Sequence, residues 1–477
     1  MKSKLYVTTS IPYVNAAPHV GFALELVQAD VIARYGRLTG RSVRLQTGTD
    51  ENAGKNVLAA EQLGVTTQEL VDRNARRFRE LTRALGISAD DFVRTTEPRH
   101  RRGVHAFWKA LQPGDVVQRD YTGLYCTGCE DFYLERDLVD GKCPDHRTPP
   151  AKVTERNYFF GLSQYQAWIE NRLVSGDPAV IPPSRRNEVL SFVQRGLTDF
   201  SISRAAQRAR GWGTPVPDDA SQTVYVWLDA LINYLSALGY GSGDGWHQWW
   251  NPRVEKVHVI GKNVWKFHAI YWPALLRSAG LPFPDTVLVH GFVTVDGRKI
   301  GKSAGNAVDP FAVIERFGAD AVRYYLLRAI PPFDDGDFSL TRLAALYEAD
   351  LANGIGNLVS RLAALGEIIG YASPPRTDKP APPDDFLKAV TAFKFDKALA
   401  ALWAVVAEVN RNIEQQRPWE LARQGDSRLK ELLDLWLDRV WVLATWLQPF
   451  LPETCRGIQA RLFSGPVHKV SPLFPRR

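Results

Sequence analysis

Three of the chain's four cysteines fall within eighteen residues, in a pattern that few folds accommodate. Cys126-x2-Cys129 is followed, thirteen residues later, by Cys143-x2-His146. Two close pairs of soft or borderline ligands, separated by a loop, match a tetrahedral zinc knuckle. Gly141 and Pro144 suit the tight turn of the second pair. All four positions are filled by protein, so the expected zinc is structural rather than catalytic. The alternative, chance cysteines and a surface histidine, leaves the clustering unexplained. Cysteines grouped for a metal rather than spread for disulfides point to a reducing compartment. Cys455 is left over, a thiol with no evident role.

The knuckle sits inside a break in pattern. The first third reads as α/β. A strand-like run, Leu5 to Thr9, leads through Ile11-Pro12-Tyr13 into an amphipathic helix from about Val20 to Tyr35, and a second strand, Val43 to Thr47, follows one crossover later. Residues 115–223 differ, with aromatic β-like segments such as Tyr158-Phe159-Phe160 and a turn-rich run from Gly213 to Asp219. They read as an insertion. The α/β pattern then resumes with helix-like Val226 to Leu238, strand-like Val257 to Ile260, helix-like Phe267 to Ala279 and strand-like Val287 to Val289. From about Leu340 the chain looks helical, broken by a Pro-rich connection from Ala372 to Pro383. Long amphipathic stretches, Phe386 to Gln415 and Arg428 to Leu447, predict a helix bundle.

Composition excludes several classes. With 45% hydrophobic and 23% charged residues in 477, the chain is neither disordered nor collagen-like. No apolar run reaches the roughly 18 residues a membrane span needs, and the first strand begins too early and is too short for a signal peptide. A net charge of 59 − 52 = +7 permits a polyanionic partner without demanding one.

Two segments carry nucleotide chemistry. Pro18-His19-Val20-Gly21-Phe22 lies where the first strand gives way to the first helix, and helix N-termini favour phosphate. His19 can donate to phosphate oxygens and Gly21 lets a nucleotide approach the backbone. Alone, a histidine at a helix start is more often a structural cap. The second segment runs from Gly297 to Asn306 and reads Gly-Arg-Lys-Ile-Gly-Lys-Ser-Ala-Gly-Asn. Lys299 and Lys302 in a Gly/Ser-rich loop make a cationic clamp for a departing pyrophosphate, or else a solvated basic loop.

Together the two segments resemble the H-I-G-H and K-M-S-K-S signatures of class I aminoacyl-tRNA synthetases, in the expected order. The chain more specifically resembles the methionyl-tRNA synthetase family over nearly its whole length. The matching stretches are Ile11 to Asn15, Thr47 to Glu51, Leu197 to Arg204, Tyr225 to Ala230, Ile260-Gly261-Lys262 with Phe267-His268, and Asn357 to Arg361. The resemblance implies a Rossmann-like parallel-sheet catalytic domain, residues 1–114 and 224–290, split by a zinc-bearing connective insertion at 115–223. A lysine loop and stem-contact linker at 291–345 would follow, then an all-α anticodon-binding bundle at 346–477.

It also implies the reaction. The family joins L-methionine to ATP, releasing pyrophosphate, and passes the methionyl group to the terminal adenosine of methionine tRNA, with Mg²⁺ carried on the ATP. On the matching positions, His19, Gly21, Lys299 and Lys302 serve the phosphates, Gly261 and Asn263 the ribose and adenosine, and Asp50 the amino group. The methionine pocket would be lined by Ile11, Tyr13, Trp227, Ala230, Tyr234, Val264 and His268. Aromatic walls suit a thioether, and Tyr or His can offer its sulfur a weak hydrogen bond. Asn357, Arg361 and Trp419 match the anticodon-reading positions, where an exposed Trp stacks an unstacked base and Asn or Arg bonds its edge. A cytoplasmic enzyme is expected, and the chain's end just past the helical region predicts a monomer.

The departures cluster on the ATP side. Phe22 stands where the family's second signature histidine sits, and a phenyl ring cannot donate to phosphate. Asn263 replaces a usual Asp, and the clamp reads Lys-Ile-Gly-Lys-Ser. These changes keep two alternatives in view: a paralogue, whether a resistance copy or a ligase for a methionine analogue, and a non-catalytic tRNA-binding protein. Retained Asp50, His19 and both lysines oppose the last. Asn357, Arg361 and Trp419 oppose a tRNA-independent ligase.

Overall fold

The apolar runs of the first third join three later strands in a six-stranded, wholly parallel sheet. The structure is a computed structural model describing residues 2–144, 147–300, 306–469 and 471–476, without the side chains of Asp131, Arg136 and Lys299. β1 (Lys4–Thr9), β2 (Ser42–Thr49) and β3 (Asp91–Arg94) form one flank. Across the sheet the order is β3, β2, β1, Val254–Gly261, Thr286–His290 and Ala179–Ile181. The chain order reverses between β1 and Val254–Gly261, and such a reversal opens a crevice beyond the strands' carboxyl ends. Ile11 and Tyr13 follow β1, and Gly261 and Asn263 end or follow its neighbour, so topology alone brings these four to one crevice. Gly48 in β2 admits no side chain, since a Cβ there would meet the Val93 carbonyl oxygen at 2.1 Å.

The aromatic stretch read as an insertion forms an antiparallel sheet of its own, built on Val116–Cys126 against Ala151–Phe160. One piece of residues 115–223 behaves differently. Ala179–Ile181 pairs parallel with Thr286–His290 and becomes the edge of the main sheet. With only three residues, it is too short for its apolar pattern to stand out.

The chain divides into two units. One comprises Met1–Pro18, Thr39–Thr82 and Ser88–His290; the other comprises His19–Leu38, Arg83–Ile87 and Gly291–Arg477. The first helix, α1 (Val20–Leu38), therefore belongs with the helical C-terminal region. A buried pair explains why: Arg323 meets Asp30 of α1 at 2.8 Å and donates to the carbonyls of Leu85, Pro449 and Phe450. A buried guanidinium is tolerable when its donors are satisfied in this way.

Among the helices, Arg428–Leu447 matches its predicted span. The stretch Phe386 to Gln415 divides into Asp384–Thr391 and Phe395–Gln416 at Phe393, whose φ is +55°. Phe267 to Ala279 opens with a wide turn over Phe267–Tyr271, and Pro273, which has no N–H to donate, stands in the first turn of Trp272–Ser278.

Candidate active site

β2 ends at Thr49, and the amide of the next residue, Asp50, donates to the Pro12 carbonyl at 2.8 Å, tying the strap after β2 to the turn after β1. Asp50 is 1% exposed. Burial, with Asp229, Glu130 and Glu51 nearby, holds its carboxyl well above the usual carboxylate range, offset in part by the Asn52 amide at 3.3 Å. Glu51 is neutralised by a bidentate Arg94 at 2.7 and 2.9 Å. Asp229 accepts from Asn52 at 2.9 Å and Thr214 at 2.7 Å, and lies 3.3 Å from buried His100. Among the described residues, no cationic side chain pairs with Asp50. A buried, crowded carboxylate with no cation of its own is complementary to an ammonium group.

The aromatic wall comes from Tyr225–Leu231 and Val264–Tyr271. Trp227 stacks on Phe267 with ring centroids 3.9 Å apart and planes 10° from parallel, and Tyr13 tilts against it at 5.9 Å. Tyr234, His268, Ala230 and Val264 are buried. The His268 Nδ1 lies 2.9 Å from the Val264 carbonyl, which only accepts, so that nitrogen carries the proton. Burial pushes His268 down to about 4, so the ring is neutral at physiological pH and Nε2 is an acceptor. Its donor is the Tyr234 hydroxyl at 2.7 Å. Both candidate donors to a thioether sulfur are thus already engaged.

At the crevice edge, a Cβ on Gly261 would stand 3.1 Å from Asn263 Oδ1. Asn263 itself is exposed, and Ile11 is half-buried. In the other unit, the Gly21 amide donates to His19 Nδ1 at 3.1 Å. A neutral His19 ring therefore keeps its proton on Nε2, the form a phosphate oxygen needs. Gly21 has a nearer reason than a nucleotide for lacking a side chain: its Cβ would meet the His19 ring at 2.8 Å. Phe22 is half-buried. Lys302 lies outside the described residues, as does the side chain of Lys299, whose backbone pairs with Thr294.

The three knuckle cysteines converge, their sulfurs all within 4.8 Å of one another, Cys129 and Cys143 at 3.3 Å. Three converging thiols, two of them buried, fit a zinc ion. His146 lies outside the described residues. In the helical region, Asn357 and Arg361 are one turn apart on Asn357–Ile368, and Arg361 sits 6.0 Å over the Trp419 ring. Arg361 is also paired with Glu414 at 2.8 Å.

Several residues of the site carry no strong sequence signal. Asp229 had one, a lone charge in an apolar run. Asn52, Asn56, Glu130 and His100 had none, because their roles depend on tertiary neighbours.

A parallel sheet with a crevice at its switch point, an acidic-aromatic pocket and a cysteine knuckle define a class I synthetase. The family model for "tRNA synthetases class I (M)" matches residues 5–154 and 146–363. A methionine–tRNA ligase of Thermotoga maritima is 39% identical, over 96% of this chain and 75% of its own length. One from Thermosynechococcus vestitus is 39% identical, over 97% of this chain and 90% of its own. The structure of Mycobacterium tuberculosis methionyl-tRNA synthetase bound by methionyl-adenylate is similar at a TM-score of 0.90, with 34% identity, covering 99% of this chain and 100% of that one. The chain belongs to the methionyl-tRNA synthetase family.

Proposed function

We propose that this chain is a methionine–tRNA ligase. It joins L-methionine and ATP into methionyl-adenylate and pyrophosphate, then esterifies the 3′-terminal adenosine of methionine tRNA. The observation that carries this reading is the buried Asp50, without a cationic partner among the described residues, joined through Tyr13 to the stacked Trp227–Phe267 wall. The carboxylate takes the ammonium group, and the rings take the thioether. Ile11, Tyr13, Ala230 and Val264 complete the lining and exclude polar side chains. With no covalent step assigned to a side chain, the work is positioning the amino-acid carboxylate in line with the α-phosphorus.

Gly261 and Asn263 serve the ribose and adenosine. His19 donates to the phosphates, with Lys299 and Lys302 neutralising the pyrophosphate as it leaves. Mg²⁺ arriving on ATP supplies further charge neutralisation. Zinc held by Cys126, Cys129, Cys143 and His146 is structural and closes the knuckle. Asn357, Arg361 and Trp419 read the anticodon. Residues 115–223 act as a connective insertion between catalytic halves 1–114 and 224–290, with 291–345 as lysine loop and linker and 346–477 as the anticodon domain. A monomeric, cytoplasmic enzyme is consistent with these roles.

Methionine-dependent exchange of pyrophosphate into ATP is the test. Exchange above a control without amino acid, and greatest with methionine across a panel of amino acids, is expected. Exchange no higher than that control would favour a tRNA-binding protein without catalysis. A maximum with another amino acid would mark a paralogue.

A further inference from the structure

We propose that Glu130, the residue after the second knuckle cysteine, is a positioning residue for amino-acid binding, an inference that rests on the methionine-activating reading above. Glu130 is buried and its φ of +55° is disfavoured for any residue with a side chain. Both of its carboxylate oxygens are in use. Oε1 accepts the Lys55 amide at 3.0 Å, and Oε2 accepts the Tyr125 hydroxyl. The Lys55 amide belongs to the first turn of α2 (Gly54–Leu63), whose own N-cap, Ala53, provides no side-chain hydrogen bond. Glu130 supplies from a distant loop the acceptor and the negative charge that this helix start lacks. Gly54 leaves room for it, since a Cβ there would stand 3.1 Å from Oε1.

The same first turn reaches back to the substrate strap. Asn56 donates to the carbonyls of Asp50 at 3.3 Å and Glu51 at 2.8 Å. On its other side the loop holds the aromatic wall through its main chain. Trp227 Nε1 donates to the Cys129 carbonyl at 3.2 Å, and the Tyr225 hydroxyl donates to the Glu130 carbonyl. One residue thus joins the strap bearing Asp50 to the wall bearing Trp227.

Exchange kinetics on Glu130→Ala, Glu130→Gln and Tyr125→Phe test this, with zinc content measured on the same preparations. Losing a charged acceptor at this link should raise the methionine KM about tenfold in Glu130→Ala, with the ATP KM changed less than about twofold and zinc retained. Glu130→Gln keeps an acceptor for the Lys55 amide and should bring the methionine KM back to within about threefold of the parent. Tyr125→Phe removes one donor and should raise it about twofold. If Glu130→Ala does not fold, the other two variants decide. Unchanged methionine KM values overturn the proposal, as does a parallel rise of both KM values or loss of zinc. The parent protein's own exchange, measured alongside, separates failure of the functional reading from failure of this one.

Discussion

Asp50 is 1% exposed and crowded by three other acids, whereas Trp419 is 37% exposed and its neighbour Arg361 is held by a pair with an exposed Glu414. The first arrangement buries a carboxyl among other acids, surroundings that favour an ammonium partner. Its hydrogen bonds are fixed before the ligand enters, and specificity follows from groups that have nowhere else to turn. The second leaves a stacking ring in water, beside an Arg361 side chain that is 23% exposed, where a single-stranded base could meet the ring at little reorganisation cost. A small molecule can be surrounded by a prebuilt cavity. A loop of RNA cannot, and an exposed ring such as Trp419 is suited to meet one of its bases.

If that contrast holds, the largest effect belongs to Asp50. Asp50→Asn should lower methionine-dependent exchange by roughly a hundredfold or more, because one partner of a buried charge pair is lost. A drop under about fivefold would mean the ammonium is held elsewhere. The parent protein offers a second check. Since Asp50's carboxyl is held above the ordinary range, lowering the pH protonates it before an ordinary carboxylate would titrate. The protonated form no longer attracts the ammonium, so the methionine KM should climb as pH falls through that raised value. His268, already neutral above about 4, adds no titration of its own near neutrality. In Asp50→Asn the acid-side climb should vanish, and a climb that persists would assign it to another group.

Trp419→Ala comes next. Stacking of one base is worth about 1–3 kcal/mol, so charging of methionine tRNA should fall roughly five- to 150-fold. Amino-acid exchange without tRNA should not change. Equal loss of both activities would remove Trp419 from RNA reading and erase the contrast.

How much of this could be read from residues alone differed between the two regions as well. Asn357, Arg361 and Trp419 were named from matched motifs, but the contact of Arg361 with the Trp419 ring and its pair with Glu414 left no trace in the sequence. The parallel sheet followed from apolar runs at crossover spacing, since burial on both faces leaves that trace in β1 and Thr286–His290. Its edge strand, Ala179–Ile181, did not, being three residues inside a stretch of different character. In the pocket, Asp50 and Trp227 were legible, but the state of His268 was not. Its tautomer depends on a carbonyl and a hydroxyl that only the fold brings near. Glu130 was hidden for the same reason: nothing in Cys-Glu-Asp-Phe announces a helix start seventy-five residues earlier in the chain.

The smallest expected effect concerns Glu414, where two physical contributions oppose each other. Its carboxylate pairs with Arg361 at 2.8 Å and so holds the guanidinium near the Trp419 ring. It also occupies an Arg361 donor that a base edge would use, and adds negative charge where a phosphate chain approaches. An ion pair whose carboxylate is 63% exposed organises little, at most about 1 kcal/mol. Competition should therefore outweigh organisation, and Glu414→Gln should lower the tRNA KM by up to about threefold without altering exchange. The gain should shrink as salt rises and phosphate attraction is screened. A higher tRNA KM instead would show that Glu414 fixes Arg361 in its reading position, and the RNA face would then be prebuilt in the same sense as the pocket.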